Sequence, residues 1–547
     1  MRKLYLYYQT VKYLKPVQIF GRLWFCLYKP RPDTRPAPNR RIISKEFILP
    51  CLRKQSIYGP VDFYFFNKDF KIISAEDWNS PALKKLCLYH LHYFDDLNAV
   101  DGKKRSMWHM ALIKRWIREN PPGHGNGWEA YPVSLRIVNW VKWILRGHKP
   151  GEEMIQSLAQ QARFLFKRQE IHLLGNHLLA NAKALVFAGL FFQGQESEKW
   201  YRRGMHILKN QFAEQILSDG GHFERTPMYH LLVMEDLLDL INLHWTCSRD
   251  CPKNWDGYLR SMLRWSRIMR HPDGDIPFFN DAAFGFAPSP GCLDAYAQRL
   301  GTDVEEDNQI LVHLKESGYV RLQNRDAVVL ADLAPVGPDY IPGHAHADTL
   351  SFELSLKGQR IVVNGGTSDY EPGHLRLVQR GTSAHATMCV DESNSSEIWS
   401  SFRVAKRAGI IHSEVWANGN KCGAIGAHDG YKKIIGSPVH KRSWQLQPGQ
   451  LEIHDELLGA GCHSAEILFP FASGLRPEII NKEKVRVVDE RGEDIILYIC
   501  GLPSNLFFIE PCFWYPRFGV ACSAWRLRIC RVEKLPLSQK VLFKWKI

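Results

Sequence analysis

Up to about residue 300 the hydrophobic residues of this chain recur every three or four positions; beyond Ser317 they recur every second one. A helix repeats its face about every 3.6 residues and a strand every 2, so this switch divides the chain into a helical part and a β part. The helical pattern runs through Trp108–Arg118, Val133–Leu145, Met154–Phe166, Leu173–Phe192, Trp200–Leu217, Tyr229–Trp245 and Trp255–Met269. These windows follow one another without an intervening strand, joined by Pro/Gly-rich links such as Asn120–Gly127. Repeated helix pairs of this size predict an α/α toroid or another helical array, and the lack of a fixed-period repeat argues against a standard solenoid. After Ser317 come short segments, Tyr319–Leu322, Val328–Leu333, Leu350–Leu356 and Arg360–Val363, bounded by turn residues. Leu350, Phe352, Leu354 and Leu356 alternate with polar residues, the signature of a half-buried strand. The expected fold class is α+β: an N-terminal arm and linker over 1–45, a helical domain over 46–312 and an antiparallel β-sandwich over 313–547.

Composition narrows the function classes. With 45% hydrophobic and 23% charged residues the chain is neither mainly disordered nor collagen-like. No apolar run reaches the roughly 18 residues of a membrane-crossing helix. Lys and Arg number 71 against 57 Asp and Glu, a net charge of +14, which draws polyanions: nucleic acid, anionic lipid or acidic polysaccharide. The basic residues are dispersed and match no nucleic-acid motif, so no nucleic-acid partner is expected. The 17 tryptophans serve a core and would equally suit a groove that stacks sugar rings. Thirteen cysteines, an odd number without a CxxC pair, read as mostly free thiols in a reducing compartment. The segment Met1–Phe20 lacks an apolar signal region and a small-residue cleavage site, so a cytoplasmic location is expected, with peripheral contact at a membrane or a periplasmic location left open. Its alternating aromatic and basic residues suit a membrane surface, or, the reading adopted, an arm docked on its own domain. The Pro/Arg-rich stretch Lys29–Arg41 reads as an extended strap.

Three constellations could carry chemistry. In Gly175–Asn181, Asn176 and His177 interrupt an apolar helix, so they are either a hydrogen-bonded structural pair or face a cleft. In Ser218–His230, Thr226 followed by Pro227 reads as a helix cap, which would set Tyr229 near a helix N-terminus, beside Glu224, Arg225 and His230. This is either a capped helix with an internal Glu–Arg pair or a functional turn. In Gly343–Asp348, His344 and His346 point the same way if extended, toward a ligand, a proton transfer or, with His385, a metal.

Together GNHLLANAKAL (from Gly175), DGGHFERTPMYH (from Asp219), HAHADTLSFEL (from His344), NGGTSDYEPG (from Asn364) and RGTSAHATMCVDE (from Arg380) resemble the heparinase II/III family of polysaccharide lyases. The resemblance covers roughly residues 90 to 410 by motif and implies an incomplete (α/α) toroid followed by an antiparallel β-sandwich, with the active cleft between them. It implies β-elimination at a uronic acid, with an acidic polysaccharide or oligosaccharide as partner. Asn176 and His177 would hold the carboxylate, Tyr229 would be the main base or acid, and His344 would complete proton transfer. Glu224 and Arg225 would fix the Tyr229 turn or contact substrate, alongside His230; Trp128, Tyr131 and Arg136 would contact sugar or pack in the core. No cofactor is required. Some relatives hold a structural zinc; His346 and His385 match its imidazoles, but the carboxylate position reads Asn364, so Asp369 or Asp348 would have to substitute. A non-catalytic glycan-binding or assembly factor for exopolysaccharide or capsule is the alternative reading, favoured by the missing signal peptide.

Overall fold

The computed structural model describes residues 2–546, apart from 304, 306, 489–491, 493 and 501–505. Two short helices, α1 (Arg2–Val11) and α2 (Pro16–Leu27), open the chain. The Pro/Arg-rich strap follows without regular structure and lies on the helical part, its carbonyls at Thr34, Arg35 and Pro36 accepting hydrogen bonds from Gln156 and Arg163. A hairpin, Asp62–Phe65 against Lys68–Lys71, comes next, which the helical periodicity of this half does not foretell. Its two-residue turn, Phe66–Asn67, is left-handed at both positions (φ 53° and 57°) although neither is glycine.

The helices then run as α3 (Lys85–Leu91), α4 (Ser106–Glu119), α5 (Ala130–Leu145), α6 (Glu152–Lys167), α7 (Gly175–Phe191), α8 (Gln195–Gln215), α9 (Pro227–Thr246), α10 (Asn254–Ile268) and α11 (Pro290–Arg299). They alternate in character. In α6, Met154, Leu158, Ala162 and Leu165 are buried at three- and four-residue spacing beneath a polar outer face. In α7 every residue except Asn176 and His177 is buried. A helix apolar all round has neighbours all round, so α5, α7 and α9 form an inner layer and α6, α8 and α10 an outer one, the arrangement of an (α/α) toroid. Glycine sets the closest inner–outer approach. A Cβ on Gly189 of α7 would sit 2.6 Å from the Tyr201 nitrogen of α8, and one on Gly204 of α8 2.7 Å from the Ala182 carbonyl of α7.

From Leu311 on, strands dominate, all paired antiparallel. Leu311–Leu314, Tyr319–Gln323, Ala327–Asp332, Phe352–Leu356 and Gln359–Val362 form a five-stranded meander. An eight-stranded sheet, from Ile410–Asn418 to Arg476–Asn481, a four-stranded sheet around Cys522–Lys534 and a small hairpin, Ile398–Ser400 with Arg403–Val404, complete the β part among the described residues. Strict alternation marks two adjacent strands of the eight-stranded sheet, Val439–Gln447 and Gln450–Leu458: Trp444 and Leu446 pair with Ile453 and Leu451 on the buried face.

The strand expected over Leu350–Leu356 departs from its half-buried reading. It spans Phe352–Leu356, and all five residues are buried. Leu354 and Leu356 face the sandwich core, while Glu353 and Ser355 on the other face meet His271, at 2.9 and 2.8 Å, from the loop after α10. The polar half of the alternation is therefore the seam to the helical part, not a solvent face. Burial pushes the Glu353 carboxyl up to about 7, opposed by Arg360.

Candidate active site

A cleft of about 1330 Å³ is lined by the inner helices, the arm and the β part. Each inner helix begins at it: Tyr131 is the second residue of α5, Asn176 and His177 the second and third of α7, and Tyr229 the third of α9. Further along, the lining residues follow one stripe per helix, Leu135, Val138 and Lys142 on α5, Ala180 and Lys183 on α7, Leu232, Asp236 and Asp239 on α9. Three helix N-termini thus point their positive dipole ends at one end of the cleft, where an anion is favoured. The other end is charged but self-neutralised: Lys142 bonds Asp239 at 2.9 Å, Lys183 bonds Asp236 and Asp239 at 2.7 Å, and Arg53 bonds Glu235 at 2.6 Å.

Leu174 and Gly175 are both left-handed (φ 60° and 52°), a reversal that swings the chain into α7 and presents Asn176 and His177 to the cleft. A side chain on Gly175 would meet Glu224 Oε1 and Ile341 at 3.4 Å. His177 Nδ1 lies 3.2 Å from Glu170 Oε2, and its ring is 4.5 Å from that of Tyr131, whose hydroxyl Asn176 reaches. Burial alone would lower the His177 pKa, but Glu170 outweighs it and raises it, favouring an imidazolium. An amide, an imidazole whose protonated form Glu170 favours, and a helix N-terminus side by side match the needs of a carboxylate.

Across the cleft, Thr226 caps α9 as its sequence suggests, its hydroxyl accepting from the Tyr229 nitrogen at 3.0 Å. The Tyr229 ring lies 4.0 Å from the His344 ring, centroid to centroid, and its hydroxyl is 3.2 Å from that of Tyr370. Burial, then the neighbouring phenol Tyr370, holds the Tyr229 pKa well above its usual value, so Tyr229 rests as a neutral phenol. His344 Nδ1 is 2.8 Å from Asp281 Oδ2. Burial opposes the ionisation of Asp281, but Arg376, His344 and His346 outweigh it and hold the carboxyl well below the usual range. An ionised carboxylate only accepts, which places a proton on His344 Nδ1, while Nε2 lies 4.0 Å from Glu224 Oε2, beyond hydrogen-bond range. Burial raises the Glu224 pKa.

Of the residues singled out in the sequence, Asn176, His177, Tyr229, His344, Tyr131 and Glu224 line this one cleft. Four others lie outside the cleft, which corrects the sugar-contact alternative for each and leaves core packing for Trp128 and Arg136 and a turn-fixing role for Arg225. Trp128 is buried, donates to the Asn120 carbonyl at 3.1 Å and packs on Trp116. Arg136 is wholly buried, stacked 3.8 Å over Trp116 and bonded to Gln161 and to the carbonyls of His92 and Gly127. His230 is buried on the opposite face of α9 from the cleft stripe, against Trp265 and the Met262 carbonyl. Arg225 reaches the carbonyls of Phe223, Glu316 and Ser317, tying the Tyr229 turn to the β part. Their polar groups are met inside the fold, by backbone carbonyls and, for Arg136, also by the Gln161 side chain.

His346 Nδ1 and His385 Nε2 are 3.3 Å apart, the spacing of two ligands on a tetrahedral ion with bonds of roughly 2.1 Å. Asp348 completes a buried group whose ligand atoms lie within 4.8 Å of one another. Asn364, at the position where a carboxylate was sought, accepts from the Ala386 nitrogen at 3.1 Å through its amide oxygen. Asp369 pairs with Lys84 instead. Burial lowers His346 to about 4, against Asp281, and His385 to about 3, so both rings are neutral, as ligands must be. His346 Nε2 bonds Asp281 at 2.9 Å, the carboxylate support common behind metal-binding imidazoles. The donor set fits zinc.

Sequence reasoning missed Asp281, Glu170, Tyr370 and Arg376. Asp281 is the hub: it accepts from His344, His346, Thr367 and Arg376. The polar pair Asn280–Asp281 inside the apolar run Ile276–Ala287 was the available signal.

Two family descriptions match the chain: heparinase II/III N-terminus over residues 98–287 and heparinase II/III-like, C-terminal over residues 306–519. A heparin-sulfate lyase of Pedobacter heparinus is 24% identical over 319 residues, 51% of this chain and 47% of that protein. FtsZ-localized protein C of Caulobacter vibrioides is 25% identical over 421 residues, 73% of this chain and 69% of that one. The chain spans between 37% and 56% of the length of the three heparin-sulfate lyases it matches. A crystal structure of heparinase III superposes with a TM-score of 0.68 at 19% identity, covering 88% of this chain and 78% of that one, which establishes the toroid-plus-sandwich fold. Matched in order, the first description on the helices and the second on the strands, the chain belongs to the heparinase II/III family.

Proposed function

We propose that this protein is a polysaccharide lyase that cleaves a uronic-acid-containing acidic polysaccharide by β-elimination. The reaction removes the proton at C5 of the uronate, places negative charge on the adjacent carboxylate, and expels the glycosidic oxygen at C4, which takes up a proton. Asn176, the His177 imidazolium and the N-terminus of α7 hold the carboxylate and stabilise its added charge. His344 Nε2 accepts the C5 proton, and Asp281 on Nδ1 stabilises the imidazolium that forms. Tyr229, a neutral phenol beside His344, donates to the leaving oxygen. The observation that carries this reading is the Asp281–His344–Tyr229 array opposite Asn176 and His177 in one cleft, since binding alone needs no oriented proton acceptor. Zinc, where bound by His346, His385 and Asp348, would supply a structural cross-link between the segment carrying His344 and the turn at His385.

A second reading, a non-catalytic glycan-binding or assembly factor, is favoured by the relative named for its localisation to FtsZ, which matches 73% of this chain. One experiment separates the two. Purified protein is incubated with a panel of uronate polymers while ultraviolet absorbance follows the unsaturated product. A rise in absorbance with one of them supports the lyase; binding without any rise supports the second reading.

A further inference from the structure

The arm formed by α1 and α2 has two unlike faces. Its inner face is fastened to the body: Thr10 accepts from the Trp399 indole at 3.1 Å, Gln18 donates to the Tyr340 carbonyl at 3.0 Å, Lys15 pairs with Glu214, and Phe25 lies 4.3 Å from His172. Its outer face is apolar and uncovered. On α1, Leu4 and Tyr8, and on α2, Ile19, Phe20, Leu23, Trp24 and Leu27, are between 43% and 83% exposed, whereas Tyr5 turns back to Lys406 and Val11 to the cleft. Both sets follow three- and four-residue spacing, so each is one stripe along its helix. Isolated exposed apolar side chains need no explanation, but two adjoining stripes of this kind do.

The charge around the stripes has one sign. Residues 1–32 contain Arg2, Lys3, Lys12, Lys15, Arg22, Lys29 and Arg31 and no Asp or Glu. Lys3, Lys12, Arg22, Lys29 and Arg31 are exposed, and among the described residues Lys15 alone of the arm's cations is in an ion pair. Beside α2 a small groove of about 290 Å³ runs between Trp24, Phe25 and Tyr28 and the end of α6, with Lys167, Arg168 and Arg203 among its walls and no carboxylate.

We propose that the outer face of α1 and α2 lies in the interface of an anionic lipid bilayer, with the apolar stripes among the acyl chains and the surrounding lysines and arginines on the lipid headgroups. Charge complementarity selects this occupant. A second copy of the chain would bring the same cations against themselves, whereas anionic headgroups neutralise them. The helices lie on the bilayer rather than cross it: at 10 and 12 residues they fall well short of the roughly 20 needed to span one. Tyr7, Val11, Leu14 and Arg22 also line the cleft, so bilayer contact would set the cleft mouth beside the membrane, toward a glycan held there.

The test is flotation of the full chain with phosphatidylcholine–phosphatidylglycerol vesicles, with pure phosphatidylcholine vesicles, and without vesicles. The wild type is expected to float with the anionic vesicles and to bind neutral ones at least about tenfold less. A variant carrying Phe20→Ser, Leu23→Ser, Trp24→Ser and Leu27→Ser, all exposed positions outside the cleft, is expected to lose anionic-vesicle binding while keeping the wild-type Tm. Charge reversal at Lys3, Lys12, Lys29 and Arg31 is expected to remove the preference for anionic lipid. The proposal is overturned if the wild type stays in the aqueous fraction, or if the serine or charge-reversed variants float as well as the wild type. It is also overturned if the serine substitutions dissolve a dimer in sedimentation velocity without any vesicle binding by the wild type, which would make a second copy the occupant.

Discussion

Replacing Asp281 by Asn changes one oxygen to an NH₂ group of nearly equal size, so its consequences are those of charge and proton placement. Asp281 is wholly buried and accepts from His344 Nδ1 at 2.8 Å, His346 Nε2 at 2.9 Å, Thr367 Oγ1 at 3.0 Å and the Arg376 guanidinium at 2.6 Å. Removing the carboxylate leaves the buried Arg376 without its counter-charge, which costs about 3–5 kcal/mol of stability. It also releases the constraint that keeps the His344 proton on Nδ1 and withdraws the negative charge that stabilises the imidazolium formed on proton abstraction. A misoriented or wrongly protonated base loses on the order of 10²–10⁴ in turnover. Two measurements are needed: urea unfolding for the stability loss, and the ultraviolet assay on the folded fraction for the loss in kcat. Thr367→Val serves as the control, because it removes one neutral donor to the same carboxylate and should cost only about 1 kcal/mol with little change in kcat. Full turnover in Asp281→Asn, with unfolding free energy within about 0.5 kcal/mol of the wild type, would refute the account of Asp281 as both counter-ion and orienting group.

Further outcomes follow from the same geometry. Tyr229→Phe should lower kcat by about 10²–10⁴-fold while KM stays within a few-fold, read from steady-state kinetics, because the ring and the Tyr370 hydroxyl remain. The His177 pKa is raised above the roughly 6.5 of a free imidazole, so its positive charge is fully present below that pH and is lost as pH rises through the raised value. KM should accordingly be flat at low pH and climb on the alkaline side, and His177→Gln should flatten that climb. Arg136→Ala should destabilise the chain by about 3–5 kcal/mol in urea unfolding, through a buried cavity and orphaned carbonyls, with kcat of the folded fraction unchanged. A wild-type Tm and a raised KM would return Arg136 to the sugar. Metal analysis of purified protein should find one zinc per chain, lost in His385→Ala, with Tm falling as the metal leaves.

Much of the helical architecture was legible because an (α/α) toroid is built from local periodicity. Each of the seven windows read as helical coincides with a helix to within a few residues, and the strap at Lys29–Arg41 was legible from its prolines. The helices of the arm were not read as such, since their apolar stripes have nothing of this chain to pack against. The hairpin at Asp62–Lys71 escaped because its turn forces Phe66 and Asn67 into the left-handed region without the glycine that announces such turns. Phe66 is held there by packing on His90, Phe286 and Phe518, contacts that no local pattern encodes.

The candidate site divides along the same line. Asn176, His177 and Tyr229 stand out in the sequence because each interrupts or opens an inner helix whose remaining face is apolar, and the inner helices all begin at the cleft. Polarity at the start of a helix that is otherwise buried all round is costly unless it meets a ligand or a partner, so these positions could be found one helix at a time. Trp128, Arg136 and His230 obey the same rule but found their partners inside the fold, a distinction only tertiary structure draws. Asp281 belongs to a third kind. It sits in an irregular loop after α10, its Cα is set by its own nitrogen bonding the His344 carbonyl at 3.0 Å, and every group it serves lies at least 63 residues away in the chain. Such a residue has no period and no motif of its own; it is specified by the seam between the helical and β parts. The proton acceptor of the proposed reaction is therefore assembled only when that seam closes, and loosening the seam at His271 and Glu353 should cost activity before it costs either core.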